Sequence, residues 1–403
     1  MAQTSNKRSL IIMSSVLLFV LISTLTISIF ARGYRFSLKN GFVLNPTGIL
    51  SVVSRPKGAS VYLDDKLITA TDSTLNLTPG TYNVKISKDG FLPWQKTVQI
   101  KPETVFQADL QLFNAVPDLK PITLTGAINP TSSPDGSKII YSVASASATK
   151  DNGLFLLESN NLAISLIRGT SRQLSANLPT INWSKFTFTF SPNSRQILAT
   201  SQNTKTKLHY LISLDTPVSS QKLTDVTLQL EQIKKDWQTQ TDILIANKLE
   251  RVPKEIRPFV STASAQDIQF SSNEDKIFYL AQSDNQIPNQ IITPPPAQST
   301  QTQSRDIKKG NYYVYDIKDD TNFLIGNSSD LHNPIWLPNS NNLIFVENKN
   351  LKVIEYDGTN KQVLFASNFD PNCVYPWIDG SKIVILTSPY ESAVKNLYSI
   401  SIK

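Results

Sequence analysis

The sequence predicts an all-β protein behind a membrane anchor: an N-terminal transmembrane helix, a small β domain, and a β-propeller with a short helical insert. The propeller has five four-stranded blades, or six if an insertion hides a degenerate one. Three observations predict this. An uncharged apolar run, Leu10–Phe30, lies near the start of the chain. A ten-residue pattern recurs five times: SPDGSKIIYS from Ser133, SPNSRQILAT from Ser191, SSNEDKIFYL from Ser271, LPNSNNLIFV from Leu337 and WIDGSKIVIL from Trp377. The shortest interval between copies, 40 residues, still holds four short strands, which is the unit of a propeller blade.

The repeat has the chemistry of a tight hairpin. Its third column is always Asp or Asn, at Asp135, Asn193, Asn273, Asn339 and Asp379, and its seventh is always a branched aliphatic. Pro134 pre-sets φ for a turn, Gly136 and Gly380 tolerate positive φ, and an Asp or Asn side chain bonds to its own backbone. These turn residues are structural. The β-branched run that follows is a strand, and a short apolar run such as Phe186–Phe190 or Ile335-Trp336 precedes it. In the copy from Leu337 the four strands are Asn333–Trp336, Leu343–Glu347, Leu351–Tyr356 and Gln362–Ala366. The Ser-Pro-Asp-Gly-Ser-Lys-Ile-Ile-Tyr stretch resembles the repeat of TolB-like and related WD-type bacterial propellers, over roughly Pro117 to Lys403.

In chain order, residues 1–9 form a short cytoplasmic tail and 10–31 the anchor. The 21 residues Leu10–Phe30, at about 1.5 Å each, match a bilayer core. Ile29-Phe30-Ala31 is a poor cleavage site, so the anchor is expected to stay. Lys7 and Arg8 face Arg32, Arg35 and Lys39, so charge alone does not orient it. A connector, 32–49, leads to a small β domain at 50–113, with turns at Asp64-Asp65-Lys66 and Lys88-Asp89-Gly90. Tyr62, Tyr82, Phe91 and Trp94 supply its core. Pro56-Lys57-Gly58-Ala59, Pro79-Gly80-Thr81-Tyr82-Asn83-Val84 and Lys88-Asp89-Gly90-Phe91 resemble the PEGA domain, with Lys57 replacing the motif's glutamate. That resemblance implies a β-sandwich-like spacer or attachment unit of envelope proteins, without catalytic residues.

The propeller spans 114–403. Third strands follow at Gly153–Glu158, Lys207–Leu214, Asn311–Ile317, Leu351–Tyr356 and Asn396–Ile402. Three excursions lengthen it: a polar loop at Ala144–Asn152, a helical insert at 232–263, and a Gln/Ser/Thr/Pro-rich stretch, 283–309, that reads as a flexible loop. In the insert, Pro253 is expected at a first helical position. The last copy is too short for an outer strand, and Leu119–Leu124 is expected to supply it, because native sheets avoid open edges.

Composition narrows the function. One cysteine, Cys373, excludes an internal disulfide or a thiolate zinc site. The net charge of +7 comes without a long basic run, so no nucleic-acid partner is predicted. His209 lies in a strand and His332 in a turn, neither with a second ligand at metal spacing. No Gly-x-Ser-x-Gly elbow and no phosphate-cradling glycine loop occur. Each repeated turn offers one carboxylate at most, where a calcium loop needs several. No catalytic, cofactor-binding or metal-binding residue is therefore predicted, and no cofactor. Trp183, Trp336 and Trp377 read as blade packing.

Trp237 stands apart, in the insert. By strand parity all three excursions leave from the end opposite the repeated turns, and function lives in such loops. The candidate partner-binding face is Trp237, Ile243, Leu244 and Arg251. The reading is a single-pass membrane protein whose bulk is extracytoplasmic and whose propeller binds a protein or envelope polysaccharide non-catalytically. Its rivals are an envelope-associated hydrolase with a site at the channel mouth, and a purely structural envelope component.

Overall fold

A computed structural model describes residues 3–403 except 32–33, 38–42, 160–170, 204–206, 216–222, 290, 293–298, 389 and 391–392. Two compact units emerge. One contains the chain up to Lys88, Pro93–Leu112 and the segment ending at Gln301; the other contains Asp89–Leu92, Phe113–Thr293 and Thr302–Lys403.

In the first unit, helix α1 spans Gln3–Ala31. Its stretch Leu10–Ala31 is long and apolar enough to cross a membrane and is nowhere buried against the protein. Serine and threonine do not interrupt it, because Ser15, Thr24 and Thr26 return their hydroxyls to backbone carbonyls one turn earlier. Just beyond the helix, the Tyr34 hydroxyl donates to Glu103 Oε1 at 2.7 Å. The segment expected to be a plain connector holds a strand pair, Arg35–Ser37 with Val43–Asn45. The β domain then starts at Gly48, two residues earlier than expected. Gly48–Arg55 pairs in parallel with Val105–Gln111 and antiparallel with Ser73–Leu77. A second sheet runs Lys66–Ala70, Ser60–Leu63, Gly80–Ser87, Trp94–Ile100 in spatial order. Strict alternation along Trp94–Ile100 puts Trp94, Val98 and Ile100 inside with Leu50, Val52, Val61, Val84 and Ile86. Each such burial is worth about 1.5–3 kcal/mol.

The second unit is a propeller-like series of five sheets. Blade 1 is Ile128–Ser132, Lys138–Val143, Gly153–Glu158 and Ser171–Ala176; blade 2 is Phe186–Phe190, Gln196–Ser201 and His209–Ser213. Blade 3 is Ala265–Phe270, Lys276–Ala281, Asn311–Asp316 and Thr321–Asn327; blade 4 is His332–Trp336, Asn342–Glu347, Asn350–Glu355 and Gln362–Ala366. Blade 5 is Val374–Pro376, Lys382–Thr387 and Asn396–Ser401, completed by Leu119–Pro121 from the start of the unit. Blade 2 has three strands among the described residues, with one further antiparallel bridge from Tyr210 to Asp225, and its third strand starts at His209, two residues after the expected Lys207.

The repeated turns are built alike. Asp135 Oδ1 accepts from the Ser137 N–H at 3.0 Å, and Ser133 Oγ accepts from the Lys138 N–H at 2.9 Å. Asn193, Asn273, Asn339 and Asp379 accept in the same way from the N–H two residues on. The fourth column is left-handed in every copy: φ is +68° at Gly136, +58° at Ser194, +59° at Glu274, +60° at Ser340 and +64° at Gly380.

Apolar clusters join neighbouring sheets: blades 1 and 2 around Trp183, blades 3 and 4 around Phe278 and Phe345, blades 4 and 5 around Ile344 and Ile383, and blades 5 and 1 around Tyr141 and Tyr375. Between blades 2 and 3 stands the insert. Helix α2, Leu230–Leu249, is followed by a turn opened by Pro253 and by α3, Arg257–Val260. Pro253 is thus not a first helical residue; that end falls at Arg257, with Pro258 next. Leu249, Val252, Ile256 and Val260 pack on Ile277, Tyr279, Tyr313 and Tyr315. Those are the alternate side chains to Phe278, Tyr312 and Val314, which face blade 4.

The stretch 283–309 is not the flexible loop its composition suggests, over its described residues. Asn285–Gln286 pairs with Asp306–Ile307, and Ile287 and Ile307 are buried in the blade 3 cluster. Its Pro294-Pro295-Pro296 run lies outside the described residues. Arg305 Nη1 meets Asp320 Oδ1 at 2.9 Å, with side chains 10% and 0% exposed. Asp320 also accepts from Tyr315 Oη and from the Ile291 N–H. Burial opposes the Asp320 charge, but Arg305 and these donors outweigh it and hold the carboxyl below its ordinary value.

Two outcomes follow from this packing. Ser194 is 2% exposed, left-handed, and its hydroxyl has no hydrogen-bond partner. Ser194→Gly removes both penalties and should raise stability by about 1 kcal/mol, or roughly 2–4 °C in Tm; a lower Tm would contradict the turn geometry. Asp320→Ala strands a buried guanidinium and should cost about 3 kcal/mol. Because the folded pKa of Asp320 lies below the unfolded value, its contribution is present above about pH 4 and is lost as pH falls through the folded pKa. Denaturation midpoints of wild type and Asp320→Asn should therefore converge in acid.

Candidate binding face

The first strands of blades 1 and 2, of 3 and 4, and of 4 and 5 lie against one another, so these strands are innermost. They are also cross-bonded. Asn129 Nδ2 donates to the Phe186 carbonyl at 2.8 Å, Gln269 Nε2 to that of Pro334 at 2.9 Å, and Tyr375 Oη to that of Pro130 at 2.7 Å.

Three of these strands are bulged near the end away from the repeated turns. The register slips between Ile128 and Thr131, between Gln266 and Gln269, and between His332 and Ile335. The bulged residues Asn129, Asp267 and Asn333 all have left-handed backbone, with φ of +50°, +51° and +51°. A bulge re-aims side chains. Gln266, Asp267, His332 and Asn333 are exposed at this end, as is Thr187 of blade 2. Asp267 Oδ2 accepts from Tyr312 Oη at 2.9 Å. Burial, and then the nearby Asp267 carboxylate, push the Tyr312 hydroxyl far above its ordinary range, which keeps it a donor. The mouth at this end thus offers amides, hydroxyls, one imidazole and one carboxylate, a set suited to hydrogen bonding. Sequence reasoning placed His332 in a turn, whereas it opens the strand His332–Trp336, and passed over the others. The signal was present four places ahead of each turn: Asn129, Asp267 and Asn333, against Thr187 and Cys373 in blades 2 and 5.

The four residues expected to form one binding face do not share one environment. Trp237 is half-buried in a stripe with Ile233, Thr241, Ile245 and Leu249, whereas Ile243 and Leu244 are 53% and 49% exposed. Arg251 is committed to Glu274 at 2.7 Å, beside Lys248 at 3.1 Å. Glu274 lies in a repeated turn, while the other end of α2 reaches His209, whose pKa is lowered by burial and then by the Lys234 charge. The helix therefore runs from one end of the sheets to the other. The 283–309 stretch likewise turns back to Asp320, at the end of the repeated turns. Two of the three excursions cover blade 3 and do not stand on a single face, because its apolar side needs covering more than its loops need freedom.

The groups with possible chemistry are quiet. His209 is buried, with Nδ1 3.1 Å from Thr200 Oγ1. Burial, chiefly, pushes the Cys373 thiol up to about 11, far from a reactive thiolate. Among the described residues no cluster of three or more His, Cys, Asp or Glu has a metal-binding arrangement.

Residues 47–115 match the PEGA domain family. No curated protein matches the chain significantly. Solved structures with similarity include the protein solved as TolB from Agrobacterium tumefaciens (12% identical, covering 89% of this chain and 99% of that one, TM-score 0.22). TolB from Acinetobacter baumannii is 13% identical over 79% of this chain and 60% of its own, with a TM-score of 0.22. An acylaminoacyl peptidase from Pyrococcus horikoshii is 10% identical over 70% of this chain and 39% of its own, with a TM-score of 0.21.

The geometry carries an expected outcome of its own. Glu274→Ala frees Lys248 and Arg251 at a partly exposed site, so it should cost no more than about 1 kcal/mol of stability and lower Tm only slightly. Thermal melts at low and high salt check it: the wild-type advantage should shrink as salt screens the pair.

Proposed function

We propose that this chain is a membrane-anchored, extracytoplasmic binding or scaffold protein of the cell envelope. Its propeller takes a protein or envelope-glycan partner at the axial mouth away from the repeated turns, without catalysis. The observation that carries this reading is the exposure of Gln266, Asp267, His332 and Asn333 together at the bulged end of the innermost strands. The bulges turn these polar side chains outward on the innermost strands at some cost in strand pairing. Convergent polar groups on a rigid ring are what a hydrogen-bonding ligand needs. Exposed, apolar α1 supports the anchor, and the PEGA domain at 47–115 supports an envelope setting.

The test is capture of envelope proteins and glycans by a tagged fragment starting at Thr47, followed by Asp267→Ala with His332→Ala. The double variant should stay folded, with a Tm somewhat lowered by loss of the Tyr312–Asp267 hydrogen bond, and lose at least about tenfold in partner retention, about 1.4 kcal/mol. Retention unchanged in that variant would remove the mouth as the site. Protease added to intact cells should release the propeller; protection until lysis would reverse the orientation.

A further inference from the structure

The five innermost strands differ in how their free edges are treated. An unpaired strand edge is a template for another chain, and native proteins blunt it with bulges, proline or inward charge. Blade 1 has a bulge and Pro130, blade 3 a bulge and Asp267, and blade 4 a bulge and Pro334. Blade 5 has only three residues there, ending in Pro376. Blade 2 has none of these. Its edge is Phe186-Thr-Phe-Thr-Phe190, in unbroken register with Gln196–Ser201, and carries no charge, proline or glycine.

The hydrogen-bond phase shows which groups are free. Ser191 N–H donates to Gln196 and Gln202 N–H donates to Lys185, so the odd-numbered residues between them, Thr187 and Thr189, face the neighbouring strand. The N–H and C=O groups of Phe186, Phe188 and Phe190 point the other way. Asn129 occupies the Phe186 carbonyl; among the described residues nothing bonds to those of Phe188 and Phe190. Thr187 and Thr189 are exposed beside them, at the junction where the insert stands between blades 2 and 3.

We propose that this edge is a strand-addition site: an extended polypeptide segment of the partner pairs through its backbone with Phe188 and Phe190, its side chains lying over Thr187 and Thr189. The proposal rests on the reading above that the propeller binds a partner, and narrows that partner to a protein with an extended, proline-free segment.

Amide hydrogen exchange on the full-length chain in detergent tests it. The probe is the heptapeptide acetyl-Thr-Val-Thr-Val-Thr-Val-Thr-amide, compared with an analogue N-methylated at alternate residues. The plain peptide should slow exchange at Phe188 and Phe190 at least about tenfold, and the methylated one should not. Thr187→Lys with Thr189→Lys leaves the ladder amides in place; it should keep its Tm and weaken the peptide at least about tenfold. Equal protection by both peptides, protection confined to other blades, or no protection overturns strand addition. If Asp267→Ala with His332→Ala abolishes partner capture while the lysine pair does not, the binding reading stands and strand addition fails. If the plain peptide pairs here but no envelope partner is captured, strand addition stands and the wider reading fails.

Discussion

Three backbone pairs, Leu119 with Ile400, Lys120 with Ser399 and Pro121 with Tyr398, hold the propeller unit in one piece. They give blade 5 its outer strand and tie the start of the unit to its end. On the inner strands of blade 5, Tyr375, Val384 and Leu397 pack against Ile139, Tyr141 and Leu157 of blade 1. The strand is short, but its ends are reinforced: the Ile122 N–H donates to the Leu397 carbonyl at 2.8 Å, and the Asn396 side chain accepts from the Gly126 N–H at 2.8 Å. Gly126, with φ of +93°, could not carry a Cβ without meeting Ser145 and Val394 within 3 Å.

The same constraint, that no sheet may leave an apolar side or a strand edge bare, accounts for the irregular parts. Blade 3 presents Tyr279, Tyr313 and Tyr315 toward the junction with blade 2. The insert covers them on one part, and Ile287, Ile291 and Ile307 on another. A helix is a ready cover because one stripe of it is apolar at 3.6-residue spacing; α2 shows such a stripe from Ile233 to Leu249.

That division explains what could be read from the sequence. The turns were legible because a left-handed fourth residue and a backbone-bonding third residue impose side-chain identity locally. The strands after them followed from period-two alternation, and the closing strand from the shortness of the last repeat. The stripe of α2 was legible in part, but not the sheet it covers, since that depends on residues some 30 positions later. The described residues of 283–309 were misjudged for a related reason: their placement depends on Arg305 meeting Asp320 and on the Ile291 N–H reaching the same carboxylate. Composition averages over such pairs. The bulges were missed because Asn-Pro reads as a generic turn signal unless it is counted back from each repeat.

Charge placement bears on how a partner would be met. Of the net +7, five units come from Lys7, Arg8, Arg32, Arg35 and Lys39, and no acidic residue precedes Asp64. From Val116 onward 27 basic residues face 26 acidic ones. The basic character thus belongs to the flanks of α1, where anionic lipid headgroups would attract it in the proposed setting, and the propeller is close to neutral. A near-neutral binding module gains little from long-range steering, so its selectivity must come from short-range groups. At the mouth those are amides, hydroxyls and unpaired backbone, which discriminate by geometry: a misplaced partner leaves them desolvated and unbonded. Anchoring changes the demand on affinity as well. If α1 holds the chain at a membrane as proposed, envelope partners would be met at a high local concentration, and a modest interface of a few backbone pairs and side-chain bonds would suffice where a freely diffusing protein would need a large one.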